Sequence, residues 1–199
     1  MSRQALLVFI RNPEIGKVKT RLAQDLGDLE ALRIYNTLLA HTRQVTLAVD
    51  AHRLLFYSNF IDRNDEWPDR RFDKHLQPKG DLGNRMQQAF EMALKQFDAA
   101  VIVGSDCAEL TPAILQTALD ELEHHDCVIG PAIDGGYYLL GMRQLRPSLF
   151  QDMPWSTDQV YAETIKRMEA AGATYYTLPE LSDIDYAEDW EQHRHLLVK

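Results

Sequence analysis

Apolar runs of strand length alternate along this chain with segments of helical periodicity, and that alternation restricts the fold more than any other property of the sequence. Residues 5–10 (Ala-Leu-Leu-Val-Phe-Ile), 53–58, 99–104, 127–130, 137–141 and 174–178 read as strands, with a shorter one near 75–77. Continuous apolar runs of this length suit strands covered on both faces. Between them, Leu29, Leu32, Tyr35, Leu38, Leu39, Val45 and Val49 recur at helical spacing after Asp28, which is read as a cap. Residues 81–97 place Leu82, Met86, Phe90 and Leu94 on one helical face. Thr111-Pro112 sets a capping hydroxyl ahead of a first-turn proline for a helix to about 123, and further helices run over 158–171 and from about 186. Parallel strands need crossover helices, so the expected fold is α/β, a three-layer α/β/α sandwich with a mainly parallel sheet. The 130–141 region brings two strands too close for a crossover, which predicts a mixed sheet with one antiparallel element. The polar stretch 59–74, carrying Trp67-Pro68, reads as an exposed excursion.

At 199 residues, 45% hydrophobic and 26% charged, the chain suffices for one domain spanning 1–199. With 30 acidic against 21 basic residues and a net charge of −9, a general surface for nucleic acid polymers or anionic membranes is not expected. Any phosphate site must therefore be local. Cys107 and Cys127 lie in strand-like contexts without metal-ligand spacing, and Cys107 is expected to be a core residue. The chain starts Met1-Ser-Arg-Gln before the short apolar run 5–10, so neither a signal peptide nor a membrane span is expected, and the cytoplasm is the expected location.

Three segments deliver carboxylates at or near strand ends, where ligands collect in open α/β sheets: 101–106 (Asp106), 130–138 (Asp134) and 182–189 (Asp183, Asp185, Asp189). Oxygen ligands of this kind suit Mg²⁺ or Mn²⁺, which commonly bridges phosphates. Asp106, with Glu109 in the same loop, is read as a metal ligand; the competing role is orientation of the helix at Thr111. Asn12-Pro-Glu-Ile-Gly-Lys17-Val-Lys19-Thr-Arg21 packs three cations into a loop entering a helix, a phosphate-binding arrangement or a solvated helix start. It lacks the patterns of a P-loop and of a dinucleotide fold. Asp134-Gly135-Gly136 serves either a hairpin turn or close approach of backbone to a sugar, with Tyr137 at the pocket edge. Asp185 with Glu188 matches a capping pattern, Ser156-Thr-Asp-Gln159 resembles a capping box, and Trp155 before it is a core or stacking residue. Asp81 and Arg85, in the Gly-rich start of a helix, either contact ribose or base or belong to a plain helix start.

Residues 12–22, 80–86, 104–107, 130–138, 154–157 and 183–185 together resemble the serial motifs of a small bacterial family with the GT-A nucleotide-diphospho-sugar transferase fold. Its members are described as proteins with a domain of unknown function, or as glycosyltransferases linked to arsenosugar biosynthesis. The fold is shared with guanylyltransferases for 2-phospholactate and the molybdenum cofactor. The resemblance implies that Asp106 stands where such transferases place a metal-binding Asp-x-Asp, and Asp185 where nucleotidyltransferases place a second metal acid. Here the first motif reads Ser105-Asp106-Cys107, with one acid instead of two, so Asp185 or Glu109 must complete it. The implied activity is metal-dependent transfer of a sugar from a nucleotide-diphosphate sugar to a small-molecule acceptor. Asp134 or Glu109 would act as sugar ligand or base, and Arg11, Asn12, Lys17, Lys19, Arg21, Asp81 and Arg85 would bind the nucleotide. Gly135, Gly136, Tyr137 and Trp155 would form the substrate pocket. Two alternatives accompany this expectation: nucleotidyl transfer from a nucleoside triphosphate, and nucleotide binding without catalysis.

Overall fold

The computed structural model describes residues 3–198; the Met1-Ser2 start considered for a leader lies outside the described residues. Its elements are β1 (Gln4–Ile10), α1 (Thr20–Leu26), α2 (Asp28–Leu47), β2 (His52–Tyr57), β3 (Asp73–Leu76), α3 (Leu82–Leu94), β4 (Ala99–Val103), α4 (Pro112–Glu121), β5 (Cys127–Pro131), β6 (Tyr137–Met142), α5 (Val160–Ala170), β7 (Tyr175–Thr177) and α6 (Ala187–His193). Among the described residues no helix is long and apolar enough to cross a membrane.

All seven strands join one sheet in the order β3-β2-β1-β4-β6-β5-β7. The β1–β2, β2–β3, β1–β4 and β5–β7 pairs are parallel, while β6 runs antiparallel to both β4 and β5. The expected mixed sheet with one antiparallel strand is therefore present. Alternate residues of β1 feed opposite faces. Leu6, Val8 and Ile10 pack with Tyr35, Leu39 and Val45 of α2 and Leu115, Ala118 and Leu119 of α4. Ala5 and Leu7 pack with Met86, Ala89, Phe90 and Ala93 of α3 and Met168 of α5. These two cores make the α/β/α layering, and each buried Leu or Ile contributes roughly 1.5–3 kcal/mol relative to exposure.

Four local expectations are corrected. Gly27 ends α1 and is the N-cap of α2, so Asp28 lies inside the first helical turn, where its charge suits the helix dipole. Leu29 is exposed because the buried stripe of α2 begins at Ala31 and runs through Ile34, Tyr35, Leu38 and Leu39. The 59–74 excursion is not simply exposed: Trp67 is buried edge-on against Phe72, with ring centroids 4.9 Å apart. The box expected at Ser156–Gln159 does not form. Gln159 is the N-cap of α5 without a side-chain bond, while the Thr157 hydroxyl donates to the Pro154 carbonyl at 2.7 Å and accepts from the Gln159 N–H at 3.3 Å.

Candidate functional site

The parallel strands β1, β2, β3 and β4 all end on one edge of the sheet, and antiparallel β6 begins there. A cavity of about 840 Å³ opens at this edge, lined by the loops after β1 and β4, by Ser58, Asn59 and Gln77 after β2 and β3, and by Asp183 and Asp185. Its apolar wall includes Phe9, Leu82, Met86 and Tyr137. The loop after β1 is held by Tyr35 of α2, whose hydroxyl accepts from the Arg11 N–H at 2.8 Å and donates to the Arg11 carbonyl at 3.0 Å. The same hydroxyl lies 3.3 Å from Ser105 Oγ, which ties that loop to the one after β4. Burial, then the nearby Asp106 charge, push the Tyr35 pKa up to about 12, so the knot stays protonated at neutral pH.

At the cavity floor Lys19 Nζ lies 2.7 Å from Asp106 Oδ1 and 3.2 Å from Asp185 Oδ1, and its side chain is only 5% exposed. An ammonium this enclosed is tolerable only when paired. Burial works against its charge, but Asp106 and Asp185 outweigh burial and hold its pKa above that of an ordinary lysine. Lys19 caps α1 in a left-handed conformation, φ 47° and ψ 47°, which costs a non-glycine residue about 1 kcal/mol. That backbone turn aims the side chain inward. Arg21 reaches Asp185 Oδ2 at 3.2 Å from the exposed side. Asp183 lines the same cavity, and its segment is pinned beside β4's loop by a bridge to Cys107 and by the Ile184 N–H donating to the Asp106 carbonyl at 2.9 Å. Burial and then the Asp106 charge, opposed by Lys19, push the Asp183 pKa up to about 7, and no hydrogen bond to its carboxylate contributes. Two carboxylates thus pair with one buried cation and a third, that of Asp183, lines the same cavity; oxygen donors of this kind suit a hard divalent ion. As they stand, among the described residues, no three acid, His or Cys side chains already converge on a metal position; Lys19 Nζ occupies the space between Asp106 and Asp185.

A family model described as an uncharacterised protein conserved in bacteria, DUF2064, matches residues 39–157. The chain belongs to the DUF2064 family. A crystal structure of a protein from Desulfovibrio desulfuricans G20, described as a candidate nucleotide-diphospho-sugar transferase, is 34% identical over 94% of this chain and 84% of that one, with a TM-score of 0.85. Two more distant structures share the fold: a nucleotidyl transferase from Methanothermobacter, 14% identical over 98% of each chain with a TM-score of 0.62, and Rv0371c of Mycobacterium tuberculosis H37Rv in complex with manganese, 14% identical over 98% of each chain with a TM-score of 0.56. No curated protein matches the chain. The expected nucleotide-diphospho-sugar transferase fold is the fold of this DUF2064 protein.

Within this DUF2064 site, Arg11, Lys17, Lys19, Arg21, Arg85, Asp106, Tyr137 and Asp185 line the cavity. Asp185 is free to do so because Asp189, not Glu188, takes the capping role: its carboxylate accepts from the Asp185 and Tyr186 N–H groups at 2.9 and 2.8 Å. Lys17, 65% exposed, pairs with Glu14 at 2.7 Å. Asn12 lines the cavity but is a brace: its Oδ1 accepts from the Asn59 N–H at 2.9 Å and its Nδ2 donates to the Phe60 carbonyl at 2.9 Å. Arg85 Nε donates to the Gly80 carbonyl at 2.8 Å, which fixes it on the wall.

The remaining expected residues fall outside the cavity lining. Asp81 caps α3 by accepting from the Asn84 N–H at 2.8 Å. Glu109 accepts from the Ser182 N–H at 2.9 Å and lies 3.7 Å from His193 Nε2, bracing the acidic segment from behind. Asp134 closes its own turn on the Gly136 N–H at 2.9 Å. Gly135, at φ +85°, brings its backbone against the start of α5, where an added Cβ would meet the Asp158 carbonyl oxygen at 2.3 Å; the close approach expected toward a sugar is made to protein, and Gly136 follows in the same turn. Trp155 packs on the second core, over Gly83, where an added Cβ would come within 2.7 Å of the indole nitrogen. Cys107 is core, with burial raising its thiol to about 12. The residue not selected from sequence is Asp183; its alternation with Asp185 in a Ser-Asp-Ile-Asp run was the available signal.

Proposed function

We propose that this DUF2064 protein is a metal-dependent transferase that moves a sugar from a nucleotide-diphosphate sugar to a small acceptor. One observation carries this reading: Lys19, Arg21, Asp106, Asp183 and Asp185 share one cavity at the carboxyl edge of the sheet. Asp106 and Asp185 would hold Mg²⁺ or Mn²⁺, with Asp183 as the third oxygen donor. The ion would neutralise charge developing on the leaving diphosphate. Arg21, on the open side of the cluster, would bind the diphosphate from solvent, and Arg11, Lys17 and Arg85 would order the rest of the nucleotide. The apolar wall of Phe9, Met86 and Tyr137 would exclude water from the transferred group, limiting hydrolysis. Glu109 braces the acidic segment through the Ser182 N–H, and Asp134 closes its own turn on the Gly136 N–H, so neither is assigned as the base. The family resemblance and the similarity to the Desulfovibrio protein support the sugar-donor reading.

A second reading, nucleotidyl transfer from a nucleoside triphosphate, is supported by three cations of one loop lining the cavity. Incubating the protein and Mn²⁺ with a panel of nucleotide sugars and triphosphates, with cell-extract metabolites as acceptors, separates the two. Release of nucleoside diphosphate from a sugar donor is the expected result; release of pyrophosphate assigns the second reading. Nucleotide binding with neither product would point to a protein that binds without catalysis.

A further inference from the structure

The arrangement of Lys19 bears on how such a site is filled. Its ammonium stands between Asp106 at 2.7 Å and Asp185 at 3.2 Å, 5% exposed, on a backbone turn that holds it there. A divalent ion bound by these carboxylates would sit about 2.0–2.6 Å from their oxygens. The ion and the ammonium therefore compete for the same place, and their like charges repel across a poorly solvated gap. A metal arriving alone must push Lys19 off its two acids, which leaves a buried ammonium without a partner. A metal arriving with a diphosphate brings the replacement: the phosphate oxygens accept the ammonium that the carboxylates release.

We infer that Lys19 is a resident cation that holds the acid cluster closed to metal until a diphosphate takes over its ammonium, so that metal and nucleotide load as a pair. This rests on the proposed function and deepens it. Among the described residues, only Lys19 pairs with both Asp106 and Asp185. Arg21 touches Asp185 from the solvent side, and Lys17 pairs with Glu14 and touches none of the three acids. A coupling of this kind is reciprocal: whatever diphosphate adds to metal affinity, metal adds to diphosphate affinity.

The test measures Mn²⁺ binding to the purified protein by electron paramagnetic resonance, with and without a nucleoside diphosphate, for the wild type, Lys19→Met, Lys19→Asn and Lys95→Met. Asparagine tolerates the left-handed backbone and serves if the methionine variant does not fold. The wild type should bind free Mn²⁺ weakly and gain strongly on adding diphosphate. Either Lys19 variant should bind Mn²⁺ alone about tenfold more tightly while losing most of the gain from diphosphate, as removal of one competing charge predicts. Lys95→Met, which removes the same charge from an exposed position at the end of α3 and outside the cavity lining, should stay within about twofold of wild type. Unchanged or weaker Mn²⁺ binding in folded Lys19 variants, alongside diphosphate-dependent Mn²⁺ binding in the wild type, overturns the exchange and leaves the metal-dependent reading standing. An equal gain in Lys95→Met also overturns it, by reducing the effect to general charge. Absence of Mn²⁺ binding in every protein, with or without diphosphate, overturns the proposed function and this inference with it.

Discussion

Among the described residues two lysines are buried between two aspartates, and one of them, Lys19, lines the cavity at the sheet edge. Lys74, 3% exposed, lies 2.8 Å from Asp65 and 2.9 Å from Asp69, and donates to the Asp62 carbonyl at 3.0 Å. Asp65 is used further, by the Tyr57 hydroxyl and by the Trp67 N–H at 3.0 Å, under the Trp67–Phe72 pair. This cluster closes the 59–74 excursion onto the sheet edge, and its donors and acceptors are taken up locally. Lys19 has the same immediate chemistry with a different remainder: two carboxylates, a third acid without a hydrogen-bond donor, and a cavity in front. A buried ion pair by itself is weak support for either stability or function. What separates a pin from a site is whether the surrounding polar groups are satisfied and whether a ligand can reach those that are not.

Mutations at the two clusters should break this pairing in different observables. The largest stability loss is expected for Lys74→Met, about 3 kcal/mol from leaving Asp65 without its ammonium, or roughly 8 °C in thermal midpoint; calorimetry checks this, and nucleotide affinity of the folded fraction should be unchanged. Lys19→Ala combined with Arg21→Ala should weaken nucleoside diphosphates by about 2 kcal/mol through lost charge-assisted bonds. Nucleosides should lose far less in the same titration calorimetry, and equal losses would mean that the loop does not read phosphate. The smallest effect is expected for Asp189→Ala, about 1 kcal/mol of stability from the lost cap of α6. Because Asp185 is positioned by that cap, a severalfold loss in metal-dependent nucleotide affinity should accompany it, whereas an effect on stability alone would detach Asp185 from the site.

The clusters also differ in how far they could be read from sequence. Asp106 was legible because it follows an unbroken apolar strand, and strand ends in α/β sheets are where ligands meet. Lys19 and Arg21 were legible as a basic loop, but the contact of Lys19 with Asp185, 166 residues away, is made only by tertiary packing. The acids at 134 and 109 misled because local chemistry underdetermines direction: an Asp-Gly-Gly turn can face a ligand or a helix start, and in this chain it faces α5. Asp183 was visible as half of an alternating pair, yet its burial depends on the bridge to Cys107, which no local pattern announces. The Lys74 pin was hidden altogether inside a stretch that reads as polar loop, since Lys74 and Asp65 there pair with one another instead of with solvent. Strand order was partly legible: the close strands at 130–141 required an antiparallel element, but the insertion of β6 between β4 and β5 depends on long-range pairing.

The central claim is that the acids around Lys19 form a metal-dependent diphosphate site. Its most direct test is the thermal midpoint of wild type and Asp106→Asn, each with nucleoside mono-, di- and triphosphates and nucleotide sugars, with and without Mn²⁺. Ligands that bind the native state raise its stability. The wild type should be stabilised by a nucleoside diphosphate and its sugar only when Mn²⁺ is present, and Asp106→Asn, with a lower unliganded midpoint because Lys19 loses its nearest carboxylate, should show no such stabilisation. Equal metal-dependent stabilisation of both proteins, or no stabilisation of the wild type by any nucleotide, would contradict it.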